Sequence, residues 1–516
     1  MSPDTSRSTR QVSRRGFLIG VTAGVATASL LAACAGGVTA TAATSLATTA
    51  SAAATTSSPA VASAATAATS LATTPSTTPA ATQAASLTTT SQTVSSTAQA
   101  AASVAPSTLQ GIVRVLWQDP TPFAGWKPIW ERTFSGFAQE HPGVTVQPTW
   151  IVGDRNTKII SLVAAGDPGD LFWTNNASSL HEFSARKIDR PLDDLVATSK
   201  CDLSQHYARS IAINRYQGKL YGMPTDSQAG ISAIFYNADA LTQAGVAVPA
   251  ATWSYDDMMA VAAKLTVPTG AKQLFGILGF ESWYSWLSLM YSWGADVLNA
   301  QGTASTAKSS TTVSAFQWTD SLFHKFNVVP DPSTEQQLKG SVAMFTGGTA
   351  AMLTAGYWYI ASMAKQLKGF SWKALPMPAG PNGRFTGYAA NDNLSLFSTS
   401  KQVEAAWEYM RYWMRDDVMI QLVQIGLNPA SKPAVNNNPV LTKTPFYDAV
   451  KVFVDQLESG KFDSIPTPAN QLQGEVVGAL NTVVSALWAG KIGVNGVLES
   501  LDQQLQATLT KPLPTG

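Results

Sequence analysis

Between Gly16 and Val113 the chain carries not one charged residue. Over all 516 residues charged side chains make up 13%, about half the usual quarter of a soluble protein, and this gap explains much of the deficit. Cysteine is nearly absent, with Cys34 and Cys201 alone, which excludes a disulfide framework and a cysteine-rich metal centre. Histidine is scarce as well. His141, His181, His206 and His324 show no ligand spacing, so neither a metal nor another cofactor is expected. No apolar run reaches spanning length, because Phe17 to Ala33 is short and rich in Gly, Ala and Thr. Charge of one sign is also missing. The 34 basic residues balance 33 acidic ones, and without Arg7, Arg10, Arg14, Arg15 and Asp4 the count is 30 against 32. That excludes the electrostatic footprint of a nucleic-acid binder.

What is present at the start reads as an address. Ser13-Arg14-Arg15-Gly16-Phe17-Leu18 resembles a twin-arginine export signal. Leu31-Ala32-Ala33-Cys34 resembles a bacterial lipobox, in which cleavage precedes the cysteine and lipid is attached to its sulfur. The expectation is a signal peptide over 1–33 and acyl chains on Cys34 that hold the mature protein on a membrane. Ala35 to Ser107 is Ala/Thr/Ser/Pro low complexity without an aromatic residue. It has too little apolar surface to offset chain entropy and reads, with Cys34, as a disordered tether over 34–107. Fully extended it would reach roughly 250 Å. Cys201 is then a lone structural thiol.

The folded part begins near Leu109. Ile112 to Trp117 reads as a strand, and Trp130, Phe134 and Phe137 at helical spacing mark an amphipathic helix. Strand-like Val144-Thr145-Val146, a helix around Ile159 to Val163 and a buried strand at Leu171-Phe172-Trp173 follow. Strands alternating with helices predict an α/β layer with a parallel sheet. Further on, Ser254 caps a helix with Asp257 in a box arrangement, and Phe275 to Gly279 reads as a strand. In the next helix Trp283, Trp286, Leu287 and Met290 share a core face, while Tyr284, Ser288 and Tyr291 share a second face that borders a cleft.

Gln217 to Val246, with Leu220-Tyr221-Gly222-Met223-Pro224 and Tyr236-Asn237, resembles the "dGklYGlP … yYNkdlf" block of extracellular solute-binding proteins of ABC importers, family 1, the sugar-binding branch. Other blocks match in the same order. Glu140 to Val144 is similar to "e.nPgv.V", Ala164 to Asp170 to "aaGdpPDv" with Gly169 where Pro is frequent, and Phe345 to Trp358 to "F..GkaAM…gpW" with Tyr357 in place of Pro. The resemblance spans about Leu109 to Leu509. It implies a two-lobe periplasmic-binding-protein-like fold of type II, each lobe a sheet flanked by helices. Lobe 1 is expected over 108–236 plus 390–428 and lobe 2 over 237–389 plus 429–516, with hinge crossings near Tyr236-Asn237, Thr386-Asn393 and Asn428-Pro429. It further implies capture of a sugar or oligosaccharide outside the cytoplasm by a monomer that delivers it to an ABC permease.

A sugar ring offers an apolar CH face and a fringe of hydroxyls, so its site needs aromatic platforms beside polar donors and acceptors. Ligands in open α/β sheets sit beyond the carboxyl ends of strands. Those two rules nominate Trp117, Gln118, Asn175, Asn176, Asp226, Tyr284, Tyr357, Trp358, Tyr388, Asn391 and Asp392; the family's aromatic after "AM" supports Trp358. Two rivals stand beside this reading. One keeps the fold and changes the cargo to a polyamine or ferric ion. The other is a carbohydrate-active enzyme built on Asp193-Asp194, Asp256-Asp257 or Asp416-Asp417, but adjacent carboxylates do not point at one substrate. No nucleophile motif or phosphate loop accompanies them.

Overall fold

The computed structural model describes residues 109–119, 126–175, 179–227, 233–270, 273–367, 369–381, 383, 387–424, 429–459, 462–464 and 466–514. The export segment, Cys34, the tether and Asn176 lie outside them. Two sheets dominate. In the first lobe β1 (Gly111–Gln118), β2 (Val144–Ile151) and β3 (Leu171–Asn175) run parallel, as the βα alternation predicts. A hairpin of β4 (Arg215–Tyr216) and β5 (Lys219–Leu220) precedes β6 (Gly222–Pro224).

The second lobe is built on β7 (Ala233–Asn237), flanked on either side by β8 (Met352–Thr354) and β9 (Trp372–Pro376), both antiparallel to it. The chain then passes through β10 (Gly387–Ala389) into β11 (Asp392–Leu396), which returns to the first sheet. There β11 inserts between β3 and β6 and opposes both, giving the order β2-β1-β3-β11-β6. Near the C-terminus β12 (Phe462–Ser464) pairs in parallel with β10.

Period-two alternation decides what each strand buries. Val113, Val115 and Trp117 point to one face of β1 and into the main core, whereas Leu116 joins a smaller cluster with Phe172, Phe183 and Phe397 on the other. The helix Trp126–Glu140 presents Ile129, Trp130, Phe134 and Phe137 to that main core. The helix Tyr255–Leu265 carries the expected capping box: Ser254 and Asp257 satisfy each other's backbone N–H.

Two expectations are corrected. Phe275 to Gly279 is not a continuous strand; it touches the β8 edge through parallel bridges Phe275↔Ala350 and Leu278↔Leu353. Between those bridges the Gly276 and Ile277 N–H groups both donate to the Val328 carbonyl, at 2.9 and 3.3 Å, in place of a ladder, and Gly279 ends the segment. It sits at φ +104, and a Cβ there would lie 2.1 Å from the Thr354 carbonyl oxygen, an approach only glycine permits. In the helix Trp283–Ser292 the split into a core face and a cleft face also fails, since Ser288 and Tyr291 are as buried as Trp286 and Met290. The helix is apolar all round and is embedded accordingly. Only its first turn, Trp283 and Tyr284, remains half-exposed.

Candidate functional site

The carboxyl ends of β1 and β3 open on one edge of the first sheet, and Asp392 at the start of β11 stands in register with Asn175 at the end of β3. Beside them Arg155 begins the helix Arg155–Ala164, whose N-cap Asp154 accepts the Thr157 N–H. The Arg155 guanidinium lies over the Trp173 ring, 4.8 Å from its centroid. Burial lowers the Arg155 pKa to about 10, against the attraction of Asp392 and Asp154. Its Nε has no hydrogen-bond partner among the described residues. A desolvated cation with an unused donor is available to a polar ligand.

The other wall is aromatic. The Trp283 ring lies 6.1 Å from Tyr388, and Tyr284 meets Trp358 edge-on at 6.2 Å. Burial, then the neighbouring Tyr284 and Asp392, pushes the Tyr388 phenol up, so it stays a neutral donor and acceptor. Arg155, Asp392, Tyr388, Tyr284 and Trp358 are linked in turn, by charge from Arg155 to Asp392 to Tyr388 to Tyr284 and by ring contact from Tyr284 to Trp358; Asp392 and Tyr388 are buried beneath the part-exposed Tyr284 and Trp358. Gly356 is fitted to this wall. A Cβ on it would come within 2.2 Å of the Trp358 indole, which folds back over residue 356.

The remaining nominated residues divide. Gln118 is half-buried and donates from Nε2 to the Ile151 carbonyl at 3.1 Å. Asp226 is buried and accepts the Asp392 N–H at 3.1 Å. Asn391 is buried too, accepting from Ser227 Oγ at 3.2 Å and donating to the Ser210 carbonyl at 2.6 Å. Both brace the point where the chain re-enters the first sheet. Trp117 and Tyr357 require correction. Trp117 is 1% exposed and stacked on Trp130 at 4.9 Å, with Trp413 at 5.2 Å. Its phase with Val113 and Val115 turns it inward, and strand end alone misplaced it. Tyr357 is likewise 1% exposed, its ring edge-on to Phe453 at 5.3 Å.

Arg155 escaped the sequence reading although a signal existed. It is the first helical residue after a polar turn and follows a strand whose end lies at the sheet's ligand edge. The acidic pairs do not converge on any site. Asp193 and Asp194 open a helix and bond Arg215 and Arg190. Asp416 and Asp417, expected to end a helix, begin one and pair with Lys432 and Arg415. Cys201 is half-buried, and burial pushes its thiol up, the opposite of an activated cysteine.

These two lobes, with a cleft wall drawn from each, define a type II binding-protein fold. The chain belongs to the bacterial extracellular solute-binding protein family, whose model matches residues 133–447. A binding protein of Brucella abortus is 22% identical over 390 residues, covering 74% of this chain and 90% of that one. Among solved structures, an ABC substrate-binding protein from Listeria monocytogenes, in complex with cycloalternan, aligns with TM-score 0.68 and 19% identity, covering 78% of this chain and 99% of that one. The GacH receptor of Streptomyces glaucescens, solved unliganded and with acarbose, aligns with TM-score 0.66 and 22% identity, covering 78% and 100%. No helix among the described residues is long and apolar enough to cross a membrane.

Proposed function

We propose that this chain captures a sugar or oligosaccharide outside the cytoplasm and hands it, unaltered, to an ABC import permease. The observation that carries this reading is the continuous run of Arg155, Asp392, Tyr388, Tyr284 and Trp358 across the two lobes. Half-exposed rings supply platforms for the CH face, and the charged groups bond hydroxyls. Gln118 extends the polar side along the same strand ends. The likeness to proteins solved with cycloalternan, with acarbose and with tagatose supports a carbohydrate ligand.

The ligand touches both lobes only when they are closed, so binding shifts the population toward the shut form. Lobe 1 comprises 108–236 plus 390–428 and lobe 2 comprises 237–389 plus 429–516. Acyl chains on Cys34, exposed after cleavage of 1–33, keep the protein near its permease, and 35–107 serves as a leash. No enzymatic step belongs to this function. Isothermal titration against a panel of maltooligosaccharides, mannooligosaccharides and arabinooligosaccharides, with spermidine and ferric citrate as rivals, tests the reading. Saturable binding of a glycan that is recovered unchanged supports it. Binding of spermidine or iron alone, or recovery of cleaved glycan, overturns it.

A further inference from the structure

Directly beneath the aromatic wall, two buried carboxyl groups converge on one hydroxyl. Glu281 immediately precedes the helix that carries Trp283 and Tyr284, and Glu335 lies in the helix Pro332–Gln337. Ser341 starts the helix Ser341–Thr346. Its Oγ is 2.7 Å from Glu281 Oε1 and 2.6 Å from Glu335 Oε1. The Ser341 N–H also donates to Glu335 Oε1 at 2.9 Å, and the Gly279 N–H donates to Glu281 Oε2 at 2.8 Å.

A hydroxyl has one proton to give. With two carboxylate oxygens at hydrogen-bond distance, Ser341 can donate to only one of them, and the second contact needs a proton from the other side. Each carboxyl also accepts one backbone N–H, that of Ser341 on Glu335 Oε1 and that of Gly279 on Glu281 Oε2, while Glu335 Oε2 is buried with no partner among the described residues. The second contact on Ser341 Oγ is therefore filled by a proton carried on one of the two carboxyl groups. We propose that Glu281 and Glu335 hold a single shared proton through Ser341, and that this proton fastens the start of the helix bearing Trp283 and Tyr284. Both glutamates are thereby positioning residues for the cleft wall.

The surroundings agree. Glu281 and Glu335 are 8% and 9% exposed, and burial followed by the charge of Glu335 pushes Glu281 up to about 7. The other titratable group that faces the pair is Tyr284, an acid, with Tyr359 behind it. Asp331 and Lys339, at the two ends of the helix carrying Glu335, are exposed. No cation among the described residues acts on Glu281. Two bare carboxylates here would repel across a poorly solvated gap.

A carboxyl group whose folded pKa is raised stabilises the fold at low pH, and that stability is lost as pH rises through the folded value. The window runs from the ordinary carboxyl range to about 7. His206 acts oppositely. Burial and then Lys432 lower its pKa to about 4, so its contribution is lost as pH falls. The lock is therefore read as the difference between the full-length wild type and E281Q, which retains His206.

From about pH 5 to pH 8 the unfolding midpoint of wild type should fall relative to E281Q, each unit of elevation costing roughly tenfold in the folding constant. The infrared difference between wild type and E281Q should show a protonated carboxyl band that vanishes over the same range, the buried and likewise raised Asp189 carboxyl contributing equally to both. Hydrogen exchange in 279–286 and 341–345, corrected for intrinsic rates, should accelerate with pH in the wild type more than in E281Q. Should E281Q fail to fold, the wild-type infrared titration and E335Q decide, the latter moving the titration to lower pH by removing the like charge. A wild-type carboxyl titration identical to that of E281Q overturns the proposal. So does calcium that raises the midpoint of the wild type and not of E281Q, since the pair would then be a cation site. None of these readouts needs a ligand, so the lock and the capture reading stand or fall separately.

Discussion

Two tryptophans with similar sequence credentials, Trp117 and Trp358, have opposite surroundings. Trp117 is enclosed by Trp130, Trp173 and Trp413, so W117A should destabilise the fold by about 3–5 kcal/mol in urea unfolding. Trp358 is half-exposed in the cleft wall. W358A should leave the midpoint nearly unchanged and weaken glycan binding about tenfold or more by calorimetry, the loss of one aromatic platform. R155A tests the polar side in the same way, with a similar loss expected from a charge-assisted hydrogen bond. Period-two phase was available in the sequence to separate Trp117 from a ligand residue, because Val113 and Val115 share its parity. Nothing comparable marked Tyr357, which is held inside by Phe453, a partner far along the chain that no local pattern announces.

Elements were legible where their signals are local. The box of Ser254 and Asp257 is two residue types at a fixed spacing, and the geometry follows from it. S254A should lower stability by about 1 kcal/mol, measured as a shift in the urea midpoint at unchanged slope. The parallel run β1, β2, β3 was equally readable, since each unit is a strand followed by a helix. Failures occurred where a neighbour from elsewhere decides. Phe275 to Gly279 has strand composition, yet Gly276 and Ile277 turn their N–H groups to the distant Val328 carbonyl and interrupt it. In the helix Trp283–Ser292 the aromatic residues lie on every face, so angular position could not tell which were covered. Depth along the helix did, and depth is a property of packing.

At the scale of the molecule, family resemblance and hydrophobic pattern together gave the two-lobe architecture, and the return of the chain to the first lobe at β11 came from the resemblance alone; its antiparallel seat between β3 and β6 was not legible. The proposed closure is a hinge motion about the chain crossings between the lobes. Small-angle scattering at saturating glycan should show a smaller radius of gyration, and an unchanged value would count against closure. Attachment is checked by metabolic labelling with a radiolabelled fatty acid: label should appear on the wild type and be absent from C34S.

The seat of β11 has a consequence for how the chain is made. Asn175 leaves the ribosome long before its register partner Asp392, and at 5–20 residues per second the delay is on the order of tens of seconds. Throughout that wait the margin of β3 stays unzipped, and β6, whose strand neighbour is β11, has no ladder to join; such an exposed rim recruits stray strands. A nascent chain of this design needs shelter until its second half arrives, and a product cut short before residue 392 would keep that bare margin permanently.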